Sequence, residues 1–366
     1  MVKSVILHIG MHKTGSTSIQ QSLQGYDDGK AFYGRFDGFN HSIPIITAFS
    51  KDSDGYHVWR KRGVRKDAIK GMRAAFLDVL KRDLGRKNRE TLVLSGEGVS
   101  MMSNDDKAEL IAFMNSHVER VQVICYVRDP VSYAASFWQQ KVQSGTTTFP
   151  DIVPSKYRRA LHKFASLLPG SDLIVRSFSR DALRGGNVVE DFCEVCGLDF
   201  RRVSEKSSNA SLTLPALKLV VAFNESNDCN QGDEVVAFAR NNMVNRLGEL
   251  YQDGERIDSS RFSGVADTSQ LDYLKARFGI AFAGVSEQRK GNAAEILAWL
   301  RDIDDVDLGV LDKELRDRGI EGRFDDAPAK LNRLFYSFVC DKEPFFPVAV
   351  RKLKNAHSVF VGRFKK

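Results

Sequence analysis

The chain has 366 residues and a mass of 41.0 kDa, room for about two domains at roughly 150 residues each or for one α/β domain with insertions. Its 42% hydrophobic and 28% charged residues match a globular composition and exclude a disordered chain, while 28 glycines and 9 prolines exclude collagen-like and proline-rich classes. With 54 Lys and Arg against 47 Asp and Glu, the net charge is +7 and the pI near 9.1, which suits an anionic ligand but lacks the dense basic tail of a dedicated nucleic-acid binder.

The first element expected is a buried strand at Val5–Ile9, broken by Gly10–Gly15 and followed by a helix at Ser16–Leu23. Residues 25–60 show no clear period and read as loop or insertion. The basic cluster Arg60, Lys61, Arg62, Arg65 and Lys66 reads as a solvated helix start. It opens an amphipathic helix over Lys66–Leu84, with Ile69, Met72, Phe76, Val79 and Leu80 on one face and Gly85 at its end. Thr91–Ser95 reads as a strand, Ser103–Val118 as a helix with polar capping residues, and Val121–Val127 as a buried strand. Asp129-Pro130 supplies an N-cap and a first-turn proline for a helix to about Gln143. A helix at Pro154–Leu168, a strand at Asp172–Phe178 and a helix at Asn187–Cys196 complete the alternation.

Apolar strands alternating with helices predict an α/β fold, a parallel sheet flanked by helices on both faces. Beyond about residue 205 the pattern turns helical, at Leu214–Phe223, Glu234–Tyr251, Gln270–Phe278, Ala293–Arg301 and Lys330–Val339. Residues 1–205 are therefore expected to form the α/β core, with an insertion at about 25–90. Residues 206–366 are expected to complete the same domain or form a helical lobe. The five cysteines make no disulfide framework. The Cys193-x-x-Cys196 pair shares a helical face with Val189 and Phe192 and reads as buried thiols, not a metal site, which implies a reducing compartment. Met1–Ile9 is too short for a signal-peptide core and no apolar run approaches a membrane span, so a cytoplasmic location without stable membrane insertion is expected.

Two segments carry the chemistry. In Gly10-Met11-His12-Lys13-Thr14-Gly15-Ser16-Thr17, a turn passes from a buried strand into a helix N-terminus, whose free N–H groups and positive dipole end attract phosphate. Lys13 adds a charge, and Ser16 and Thr17 add hydroxyls. The lysine precedes Gly15, so the Walker order is not met. In the second segment Arg128 stands at the carboxyl end of the Val121–Val127 strand, where open α/β sheets bind ligands, and Ser136 lies eight residues on. Together they can grip one phosphate; the structural alternative is Arg128 paired with a carboxylate and Ser136 packed.

These two segments, in this order, resemble those of the sulfotransferases that use 3′-phosphoadenosine 5′-phosphosulfate (PAPS). Lys13-Thr14-Gly15-Ser16-Thr17 is similar to that family's 5′-phosphosulfate loop, Arg128 and Ser136 to its 3′-phosphate segment, and Asp172–Leu198 to its following strand and helix. The resemblance covers roughly residues 4–23 and 91–198. His12 stands where many relatives carry proline. Arg289-Lys290-Gly291 is similar to a late 3′-phosphate element of some relatives, but in different surroundings it reads as a solvated loop.

The resemblance implies a P-loop-like three-layer fold and transfer of a sulfuryl group from PAPS to an acceptor hydroxyl or amine, without a metal. Lys13 would stabilise the leaving phosphate oxygen, and Thr14, Gly15, Ser16, Thr17, Arg128 and Ser136 would hold the nucleotide. Glu97, directly after the Leu92–Leu94 strand, matches the catalytic base of the family's glycan-modifying branch, which implies a carbohydrate acceptor. His12 and His41 are the rival bases, and His8 reads as core. The alternatives are a P-loop kinase and, outside enzymes, a binder of acidic polymer or nucleic acid. The acceptor's identity and the oligomeric state are not written in the motifs.

Overall fold

A computed structural model of the chain places residues 1–206, 211–227, 234–282, 284–285, 293–322, 324 and 326–342. They fall into two compact units. The first comprises Met1–Tyr133, Pro154–Asn209 and Ala266–Gln288, and the second Ala134–Val153, Ala210–Val265 and Arg289–Lys366.

The first unit is built on β1 (Ser4–His8), α1 (Ser16–Leu23), β2 (Ala31–Tyr33), α2 (Ser42–Phe49), α3 (His57–Lys61), α4 (Lys66–Leu84), β3 (Thr91–Ser95), α5 (Asn104–Asn115) and β4 (Arg120–Val127). After α6 (Pro130–Gln143), which passes into the second unit from Ala134 on, come α7 (Tyr157–Leu167), β5 (Leu173–Ser177) and α8 (Val188–Cys196). The five strands form one parallel sheet in the order β2-β3-β1-β4-β5. Alternate residues of a strand face opposite sides. Val5, Leu7, Leu92, Leu94, Val123 and Cys125 accordingly join a core with residues of α2, α4, α5 and α7. Ile6, Val93, Ile124 and Tyr126 join a second core with α1 and α8. Both faces are covered, giving the three-layer α/β/α arrangement expected from the unbroken apolar strands.

The connection after β1 leads to β2 on one side of the sheet, and the one after β4 leads to β5 on the other. The carboxyl ends of β1 and β4, which are neighbours, therefore flank the switch point where such sheets bind ligands.

The second unit is helical: α9 (Leu214–Ser226), α10 (Glu234–Leu250), α12 (Ala293–Arg301), α13 (Gly309–Asp317) and α14 (Ala327–Lys342), with α11 (Leu271–Phe278) belonging to the first. Trp138 is fully buried, stacked on Phe149 at 3.9 Å and edge-on to Phe262 at 5.9 Å. The carbonyls that α6 leaves open at its end are taken up by Arg240 (to Val142 O 2.9 Å and Gln143 O 3.1 Å) and Asn224 (to Val142 O 2.8 Å).

The largest departure from the sequence reading is at residues 25–60, where an ordered strand and two helices stand in place of loop. β2 is only three residues long. In α2, Ser-Ile-Pro-Ile-Ile-Thr-Ala-Phe, all residues but Ile43 are buried, so no polar face writes a helical period. The short α13 is likewise new. Cys193 is buried and Cys196 partly so, both as free thiols. Among the described residues no helix is long and apolar enough to cross a membrane. Arg289-Lys290-Gly291 lies outside the described residues.

Two buried histidines clasp the carboxyl end of β3. His8 Nδ1 and Ser95 Oγ are 2.7 Å apart, and the Ser95 N–H donates to His41 Nδ1 at 3.2 Å. Burial pushes His8 down to about 4 and His41 to about 3, whereas an unfolded imidazole titrates near about 6.5. Protons thus favour the unfolded chain: the stability held by these rings is full above about pH 6.5 and is lost as pH falls toward their folded values. In denaturant titrations at stepped pH, the wild type should lose stability relative to a His8→Asn/His41→Asn variant across this window. Parallel slopes would show that the rings do not titrate on unfolding.

Candidate functional site

The β1–α1 loop turns tightly. Gly10, Lys13 and Gly15 have φ of 39°, 67° and 75°, so Lys13 holds a left-handed conformation that non-glycine residues seldom adopt. Such strain, of order 1–3 kcal/mol, persists where surrounding contacts impose it. Here Thr14 is fully buried and its hydroxyl donates to Met11 O at 2.6 Å, spending that side chain inside the loop. Gly15 is the N-cap of α1, and no side chain caps the helix. The first N–H groups of α1 are thereby left to a ligand or to water. Ser16, the first residue of α1, is buried with its hydroxyl unpartnered, a costly state unless something occupies the site. Thr17 follows, partly exposed.

Arg128 lies just past β4 and reaches across the switch point. Its Nη1 donates to Lys13 O at 3.2 Å and its Nε to Ser132 Oγ at 2.9 Å, and its guanidinium lies 5.8 Å from the Phe178 ring centroid. Asp129 caps α6 as expected, accepting from the Val131 and Ser132 N–H groups at 3.0 and 2.9 Å. Neither Lys13 nor Arg128 forms an ion pair among the described residues. Burial, then the charge of Arg128, lowers the Lys13 pKa against the opposing pull of Glu97; burial also lowers Arg128, against Asp129. Two partly buried cations beside an uncapped helix N-terminus make a site for an anion.

Beside Arg128 opens a cavity of about 790 Å³, lined by Ser18, Ser132, Phe178, Arg180 and Asn187 among others. That is the size of a nucleotide-class pocket. Ser132, which the sequence reading passed over, is the hydroxyl that meets Arg128; its i+4 spacing from the arginine at the helix start was the available signal. Ser136 stands four residues further along α6, in the part of that helix belonging to the second unit.

Glu97 follows β3 in the turn Gly96-Glu97-Gly98 and is pressed against the loop: a Cβ on Gly10 would lie 3.3 Å from Glu97 Cβ and 2.4 Å from Ser16 Oγ. The other side of the turn rests on the start of α2. The His41 N–H donates to Ser95 O at 2.8 Å, the Gly98 N–H to Ser42 Oγ at 3.0 Å, and a Cβ on Gly96 would meet Ser42 N at 2.9 Å. Glu97 keeps 27% of its side chain exposed, and His12 Nδ1 lies 3.7 Å from its Oε2. His41 is fully buried, against Tyr33 and Phe36, and cannot reach an acceptor. His8 is core. Lys13, Arg128, Glu97 and His12 thus share one corner at the ends of β1, β3 and β4.

No family model matches the chain. An uncharacterised protein of Archaeoglobus fulgidus is 24% identical over 162 residues, spanning 43% of this chain and 44% of that relative, so the match covers under half of either protein. Two solved structures are similar to it. One is a sulfotransferase from Alicyclobacillus acidocaldarius, with 13% identity and a TM-score of 0.37 over 61% of this chain and 91% of that one. The other is the sulfotransferase domain from the curacin biosynthetic pathway, with 12% identity and a TM-score of 0.35 over 82% and 97%. Both are sulfotransferases; TM-scores this low transfer neither protein's activity to this chain.

Gly15 tests the loop directly. An alanine there must hold φ near 75° and place its Cβ 2.8 Å from Val188 Cγ1 and 3.0 Å from Phe178 Cε2. Gly15→Ala should destabilise the chain by about 1–3 kcal/mol, read as a lower denaturation midpoint. Wild-type stability would mean that the loop relaxes freely.

Proposed function

We propose that the chain is a PAPS-dependent sulfotransferase acting on an acceptor hydroxyl or amine, a sugar hydroxyl first. The observation that carries this reading is the pair Lys13 and Arg128, crowded without ion-pair partners beside the uncapped N-terminus of α1 and the orphaned Ser16 hydroxyl. The residues fit the donor. The loop N–H groups with Ser16 and Thr17 suit a 5′-phosphosulfate, and Arg128 with Ser132 suits a 3′-phosphate at the mouth of the cavity.

In the reaction the acceptor oxygen forms a bond to sulfur while the bond from sulfur to the bridging phosphate oxygen breaks, and that oxygen takes the electron pair. Lys13 neutralises the charge developing there. Glu97 receives the acceptor's proton. His12, within 3.7 Å of Glu97, orients the carboxylate or relays that proton. The products are the sulfated acceptor and adenosine 3′,5′-bisphosphate. The lysine-before-glycine order disfavours the kinase alternative, and a plain polyanion binder leaves the loop unexplained.

Calorimetry with adenosine 3′,5′-bisphosphate, against ATP with magnesium, tests the donor. The bisphosphate should bind more tightly than either ATP or AMP. In Arg128→Ala its advantage over AMP should vanish, since losing a charge-assisted contact costs about 1.5–3 kcal/mol, roughly 10- to 150-fold. Equal binding of AMP and bisphosphate by the wild type would overturn the assignment.

Glu97→Gln should lower turnover by about 10²–10⁴-fold with donor affinity nearly unchanged, the usual worth of a general base. Should it retain activity while His12→Ala loses it, the base is His12.

A further inference from the structure

Seventeen residues, His57 to Arg73, carry seven lysines and arginines against one aspartate, nearly the whole net charge of the chain. They form α3 and the first turns of α4. Arg60, Lys61 and Lys70 are exposed and in no ion pair among the described residues. Arg65 and Lys66 meet Asp67 at 3.7 Å and Asp54 at 2.7 Å with 86% and 81% of their side chains in solvent, and such exposed pairs hold their cations weakly. Arg62 lies over the ring of Trp59 at 5.7 Å.

This charge is anchored close to Glu97. The buried Trp59 of α3 donates from its indole N–H to Thr47 Oγ1 of α2 at 2.9 Å. Five residues earlier on α2, about 7.5 Å along its axis, Ser42 holds the Gly98 N–H and with it the Glu97 turn. One short helix thus touches both the Glu97 turn and the basic segment. Tyr56, just before α3, feels both: beyond its burial, the Glu97 carboxylate raises its pKa and the Arg62 guanidinium lowers it.

We propose that the basic face of α3 and the start of α4 docks the acceptor, and that this acceptor is an acidic, hydroxyl-rich oligosaccharide. The inference rests on the sulfotransferase reading of the Glu97 corner. The sugar acceptor proposed for that corner offers a hydroxyl, and one that also meets this face must offer repeated anions. A DNA duplex has anions without hydroxyls along its length, whereas an acidic oligosaccharide has both on every residue. No residue of this face lines the cavity beside Arg128, so a nucleotide held there leaves the face free.

The test is equilibrium binding of an oligogalacturonate and of a neutral malto-oligosaccharide of equal length, to the full chain saturated with adenosine 3′,5′-bisphosphate. The acidic sugar should bind more tightly, and high salt should abolish the difference. The reversal Arg60→Glu/Lys61→Glu/Lys70→Glu should weaken it by about tenfold or more, since these side chains are exposed and each reversal exchanges attraction for repulsion. Reversal of the exposed Lys81, Lys87 and Lys275 should leave it unchanged. Bisphosphate affinity should be equal in all three proteins. If the bisphosphate binds but the acidic sugar binds no better than the neutral one, or if the first reversal changes nothing, this inference falls while the donor assignment stands. Tighter binding of a DNA duplex than of the acidic sugar also overturns it. Failure of the bisphosphate to bind the wild type overturns the sulfotransferase reading and the acceptor role with it.

Discussion

The site depends on one unfavourable interaction, the mutual repulsion of Lys13 and Arg128. Burial lowers the pKa of both, and the charge of Arg128 lowers that of Lys13 further, against the opposing pulls of Glu97 on Lys13 and Asp129 on Arg128. The fold enforces this proximity. β1 and β4 are neighbours in register, their following loops diverge to opposite sides of the sheet, and Arg128 is tied to Lys13 O across the gap. An anion bound there relieves the repulsion and fills the places that the α1 N–H groups and the Ser16 hydroxyl leave open.

The second half of the site comes from a different part of the fold. Glu97 is held from below by the loop, through the contact at Gly10, and from the side by the start of α2, through Ser42 and the backbone of His41. The buried His8–Ser95–His41 contacts fix the end of β3 from which the turn departs. The segment between α1 and α4 is therefore structural support for the carboxylate as well as surface, and the basic charge of α3 and α4 stands on the same support. Two kinds of cation are separated in this way: partly buried ones at the switch point, and exposed ones on the segment that supports Glu97.

The local signals were enough for β1, α1, α4, β3, α5, β4 and α8, because continuous apolar strands and capped, amphipathic helices state their geometry within a few residues. Asn187 accepting from Val189 and Glu190, and Ser103 from Asp106, are caps that the polar residues announce. α2 escaped notice because a helix buried on every side has no polar stripe, and β2 because three residues cannot show a period. Within the site, Lys13, Ser16, Arg128 and Glu97 were all legible. Ser132 was not singled out, and the exclusion of His41 as a base could not be foreseen, since both follow from where side chains end up after packing.

By itself the sequence determined the order of the longer strands and helices, the passage of the Gly10–Thr17 turn from a buried strand into a helix N-terminus, and the placement of charged groups just beyond strand ends. Those properties are local: they depend on backbone propensity, apolar runs and residue type within a turn or two. Only the tertiary structure decided that Lys13 and Arg128 meet with no ion pair to either among the described residues, and that α2 joins the Glu97 turn to a basic face. These depend on strand order and on which groups share a buried space, across 115 positions for Arg128 and Lys13 and 56 for Gly98 and Ser42.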